Sequence, residues 1–71
     1  MFAKRREAKL RRAELERASH ELGEIRHDLN RAWSVFNSTS DPALTEACIF
    51  EINALRARYD HVMKGVRSYF S

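Results

Sequence analysis

One cysteine, one proline and two glycines are all that this 71-residue chain holds of the residues that staple or punctuate a fold. The lone Cys48 excludes an internal disulfide, and no Cys/His spacing resembles a zinc knuckle. With one proline and glycines only at 23 and 65, little interrupts long helices. No apolar run approaches the ~20 residues that cross a bilayer, and the first residues lack the apolar stretch of a secretory leader. Together with the single thiol, these absences predict a cytoplasmic protein. A glycine loop for phosphates and a pair of buried carboxylates are missing too. The expectation is therefore no enzyme, no cofactor, no metal and no small-molecule substrate.

What is present is mostly charge and helix formers. The net charge of +3 is unevenly spread. Residues 1–12 hold Lys4, Arg5, Arg6, Lys9, Arg11 and Arg12 against Glu7 alone, leaving five net positive charges there and two net negative charges over the rest. Charge segregated in this way points to an anionic partner for the basic end.

One stretch breaks the helical pattern: NSTSDP, residues 37–42. Asp41 is placed to cap a second helix, with Pro42 in its first turn, where a missing N–H is harmless. Before the break, Leu15, Leu22, Leu29 and Phe36 recur every seven residues, with Ala18, Ile25 and Ala32 between them. After it, Cys48, Ile52, Leu55, Tyr59, Val62, Val66 and Tyr69 alternate steps of four and three. Both runs are heptad seams. The predicted fold is all-α: an antiparallel two-helix hairpin, coiled-coil-like, with helices at about 3–37 and 41–70. At 1.5 Å per residue it should measure roughly 40–50 Å. A core in a chain this small supplies roughly 3–5 kcal/mol without a staple or partner, so two hairpins pairing into a four-helix homodimer are expected.

The register follows from the turn. Facing residue numbers should add to about 81, so that Leu29 faces Ile52, Leu22 faces Tyr59 and Leu15 faces Val66. Residues 1 to about 10 then have no opposite number. They form a basic arm, either a frayed terminus or a helical extension, and Lys64 and Arg67 return to the same pole. The heptad g positions line one side of the hairpin, where Glu21 should pair with Arg58 and Val35 should touch Leu44. The e positions line the other, with Trp33 near Ile49 at the turn, Arg26 confronting Arg56 in the middle, and Met63 and Phe70 towards the open end.

The e side is the candidate partner or dimer face. Its residues are Arg26, Trp33, Ile49, Arg56, Met63 and Phe70, widened at the turn by Leu44 and Phe50; this is too much apolar surface to leave in water, and Trp with Arg is a favoured hot-spot composition. It would take a second copy or a helical protein, with an acidic residue between the two arginines. The basic pole, Lys4, Arg5, Arg6, Lys9, Arg11, Arg12, Lys64 and Arg67, is the candidate anion-binding site. Nucleic acid is one partner it would suit, through salt-dependent phosphate contacts. A membrane surface is the weaker one, because Phe2, Ala3 and Leu10 make a thin apolar face.

Other features carry less. His20, Glu24 and His27, beside Asp28, share the outward side of the first helix but lack a fourth ligand and a burying shell. Cys48 lies on the seam as a small apolar residue, and His61 stands alone near its edge. The remote alternative is a small dimeric all-helical enzyme, with Arg26, Arg31, Arg56 and Arg58 holding a dianionic substrate in the manner of small helical mutases. No third helix or catalytic pattern accompanies those arginines.

The stretch from Trp33 through SDPALTEACIFEINALRARYDHVMKGVR resembles the YaaL-like family of small uncharacterised bacterial proteins. The resemblance rests on Trp33, Asp41, Pro42, Glu51, Ala54, Arg58 and Tyr59, together with the basic start, and runs from about Leu22 to Arg67. Ala54 lies one residue further from the Arg-Tyr pair than the family pattern has it, and Phe50 and Gly65 depart from that pattern. What the resemblance implies is a bacterial cytosolic helical protein; it implies no activity, cofactor or catalytic residue.

Overall fold

The computed structural model describes the backbone of residues 2–70 and the side chains of residues 4–69. Two helices make up the fold, α1 over Phe2–Ser38 and α2 over Pro42–Phe70, and they pack against each other as an antiparallel pair. No strand occurs among the described residues.

Local chemistry fixes the reversal between them. Thr39 N donates to the Val35 carbonyl at 3.0 Å and Ser38 Oγ to the Ser34 carbonyl at 2.9 Å, closing the end of α1. Asp41 then starts α2: its Oδ1 accepts from Ala43 N at 3.0 Å, and its carbonyl accepts from Thr45 N at 2.9 Å. The Asp41 amide donates to Thr39 Oγ1 at 3.1 Å, so the three residues between the helices are held from both sides. Replacing Asp41 with alanine removes the cap and is expected to cost about 1 kcal/mol, read as a lower denaturation midpoint by circular dichroism. An unchanged midpoint would mean that Pro42 and the Thr39 contact suffice to start α2.

The core is small and lies towards the turn. Ile25, Ala32, Cys48, Ile52 and Leu55 are its buried members, and all five are positions of the two heptad seams. Leu22, Leu29, Phe36, Tyr59, Val62 and Val66 are half-buried on the same line. The g-side pairing expected from the register is present, with Arg58 Nη2 3.6 Å from Glu21 Oε1. Cys48 is a buried free thiol among apolar neighbours.

Two expectations need correction. The seam does not stay closed along its length: Leu15 and Tyr69, at its open end, remain exposed. Ala18 and Gly65 are too small to fill the space between the helices there. The rod is also longer than the 1.5 Å rise applied to the paired part suggests, measuring 61 × 16 × 12 Å. The reason is the basic arm, through which α1 runs as regular helix from Phe2. Its alanines, leucine, lysines, arginines and glutamate are all strong helix formers, and that preference outweighs the unfavourable placement of cations near a helix N-terminus.

Candidate functional site

The exposed apolar residues gather at the two ends of the rod. Trp33, Val35, Leu44, Ile49 and Phe50 surround the turn, and Leu10, Leu15 and Tyr69 lie at the other end. Among the described residues, no other large hydrophobic side chain is exposed between them.

Turn geometry explains the first group. Residues 33–36 end α1 while 44–50 begin α2, so one seam position on each helix buries its side chain and the flanking positions cannot. Trp33 is 45% exposed and stacks edge-to-face on Phe36, one helical turn away, at a centroid separation of 5.5 Å. Phe50 is 68% exposed, on the outer side of α2. Ile49 and Leu44 are each close to half exposed. Met63 is half-buried, which removes part of the apolar area expected along the e side. Phe70 lies outside the described side chains. Arg26 and Arg56 are exposed, and among the described residues neither has an ion-pair partner. The structure thus places Trp33 and Ile49 on one side of the turn end, Leu44 on the other and Phe50 on the outer side of α2, with Arg26, Arg56 and Met63 farther along the rod.

The basic pole is built mainly by α1. Lys4, Arg5, Arg6, Lys9, Arg11 and Arg12 are exposed on consecutive turns of α1, and Lys64 and Arg67 are exposed near the end of α2. A helical arm presents these cations at fixed spacing around a cylinder, so only some can face a flat surface together, whereas a curved or flexible polyanion can reach more of them.

A groove that the sequence pattern did not single out opens on the g side near this pole. It encloses ≈ 260 Å³, with Leu15, Ala18, Val62 and Val66 as its apolar walls, Gly65 in the α2 wall and Tyr69 at its end. Glu14, Arg17, Glu21 and His61 form a charged rim. Arg17 Nη1 is 3.2 Å from Glu14 Oε1 and Arg58 Nη2 is 3.6 Å from Glu21 Oε1, so both rim glutamates have an exposed ion-pair partner. The sequence signal was a glycine at a g position level with Glu14, on the same side as small Ala18 and Val62; it reads as a helix weakness until the register shows what it faces.

On the outward side of α1, His20 Nε2 lies 2.9 Å from Glu24 Oε1 in a shallow hollow with Gly23, His27 and Asp28. Among the described residues, no group of three or more His, Cys, Asp or Glu side chains is placed to hold a metal ion, and no charged or polar side chain is buried. No described helix is long and apolar enough to cross a membrane. No family model, curated protein or solved structure matches the chain.

Proposed function

We propose that this hairpin is a non-catalytic association module. It pairs with a second copy into a four-helix homodimer, offers the apolar turn end to a helical protein partner, and uses its basic arm to engage an anionic partner. The supporting observation is the amount of surface left in water. The chain exposes 6116 Å², whereas a folded monomer of its 8.3 kDa should expose about 4,600 Å². Part of the excess belongs to the unpaired arm of the 61 Å rod; the remainder includes the exposed Leu15, Leu44 and Tyr69, which a second copy would cover. The resemblance to the YaaL-like family is retained as part of the proposal. It is consistent with Trp33 beside the Asp41–Pro42 turn, and it carries with it the expectation of a bacterial cytosolic setting.

The rival reading, a nucleic-acid-binding accessory protein, draws on the exposed cations of the helical arm. Sedimentation equilibrium tests the leading reading. The expected result at micromolar concentration is a species of twice the chain mass, dissociating on dilution. A single mass of 8.3 kDa across the accessible range would remove self-association from the proposal.

A further inference from the structure

Gly65 has no reason within its own chain. It sits inside α2, where glycine is the poorest helix former short of proline, and a Cβ built there meets nothing within 4 Å. The backbone does not need glycine for its conformation, since no glycine has positive φ. Its carbonyl is occupied by Ser68 Oγ at 2.9 Å. What glycine does achieve is a notch in the α2 wall of the open-end groove. Glycine is the residue that permits close approach of another chain.

The same heptad stripe that carries Gly65 carries an occupant of the right kind. Read along α2, the stripe is Leu44, Glu51, Arg58, Gly65. Laid against a reversed copy of itself, it sets Leu44 at Gly65 and Glu51 at Arg58, twice over, about a two-fold axis near Ala54 and Leu55. Leu44 is 43% exposed on the Val35 side of the turn and has no pocket of its own. Arg58 is on the groove side, as its contact with Glu21 fixes, and is more than half exposed, so it can serve a second carboxylate. We propose that two copies pair antiparallel through this g side, with Leu44 of each seated at the Gly65 notch of the other and Glu51 paired with Arg58 across the axis. This rests on the self-association proposed above and adds its face, its direction and its contacts.

The basic arms favour this direction over the parallel one. A parallel pair would put both basic arms at one pole, and it would set Asp28 against Glu51 of the partner as well as Glu21 against the partner's Arg58. The antiparallel pair sends the arms to opposite ends. Its cost follows from the same register: Asp28, level with Glu51, approaches Glu21 of the partner on both sides of the axis, where each Glu21 is already in contact with its own Arg58. On the opposite side of the hairpin, Trp33 and Ile49 stay uncovered for a different protein.

The test is a charge exchange in the full chain, followed by sedimentation. In the antiparallel pair, Glu51→Arg faces Arg58 twice and Arg58→Glu faces Glu51 twice, so each single variant should associate roughly tenfold more weakly than the parent. An equimolar mixture of the two should recover, because every cross-axis pair in the heterodimer is again Arg with Glu. Gly65→Leu should keep or raise helix content while weakening association at least roughly tenfold, since it fills the notch. A mixture no tighter than its components, or a Glu51→Arg variant that dimerises more tightly (the parallel outcome, where the introduced guanidinium would meet Asp28), overturns the antiparallel arrangement. Undiminished association of Gly65→Leu overturns the notch. A parent chain that is monomeric throughout defeats the self-association reading itself, and the two failures are thereby distinct.

Discussion

Replacing Ile25 with alanine is expected to unfold the hairpin. Ile25 is 1% exposed, the most deeply buried large side chain of the protein, and it shares its environment with Ala32, Cys48, Ile52 and Leu55. Those five residues are the whole of the buried core among the described residues. Truncating a buried isoleucine to alanine costs about 2–5 kcal/mol, through lost transfer energy and the cavity left behind. A core of this size supplies roughly 3–5 kcal/mol in total, so the cost is comparable to the stability available. Denaturant titration followed by circular dichroism at low protein concentration should show the variant largely unfolded before denaturant is added. Raising the concentration should recover helix in proportion to dimer formation, because binding to the folded form shifts the equilibrium by mass action. Leu10→Ala, on the exposed arm, is the control and should change the midpoint little. A cooperative transition for Ile25→Ala near the parent midpoint would mean that the helices are held chiefly by something other than this core.

The sequence made the hairpin legible because two independent signals agreed. The seven-residue recurrence of Leu15, Leu22, Leu29 and Phe36 and the four-three steps from Cys48 to Tyr69 describe matching stripes, and Asp41–Pro42 places the reversal between them. Once the turn is fixed, the register has little freedom, which is why Glu21 and Arg58 meet. Periodicity says which residues point inward, not how far the helices stay together. The exposure of Leu15 and Tyr69 depends on side-chain volumes at Ala18 and Gly65, which a polar/apolar pattern does not register. The arm was ambiguous for another reason: helix propensity and the helix dipole act in opposite directions there, and a dipole term of tenths of a kcal/mol per charge loses to nine consecutive good helix formers from Lys4 to Arg12. Composition therefore pointed to an apolar association surface, while only the geometry separated a turn-end patch from a groove beside Gly65.

The second large effect is expected from the basic arm, and it is an effect of salt. Six exposed cations on consecutive helical turns, most of them beyond the end of α2, can neutralise up to about six phosphates of a polyanion. Releasing that many counterions gives a slope near −5 in log affinity against log salt, so binding to duplex nucleic acid should fall roughly a thousandfold between 50 and 200 mM salt. Because the contacts are to phosphate and carry no base readout, affinity should vary little with sequence. Removing residues 2–12 should abolish the binding at every salt concentration while leaving the circular dichroism of the remaining hairpin at its expected helicity, since the buried core begins only at Ile25. In the antiparallel dimer the two arms stand at opposite ends of the particle, so a long duplex should bridge particles where a short one cannot. Loss of hairpin helicity on truncation would assign the arm a structural role. Absence of binding to duplex and single-stranded nucleic acid at 50 mM salt would eliminate the accessory-protein reading, leaving anionic protein surfaces or anionic vesicles as the arm's partner, each of which the same salt titration can test.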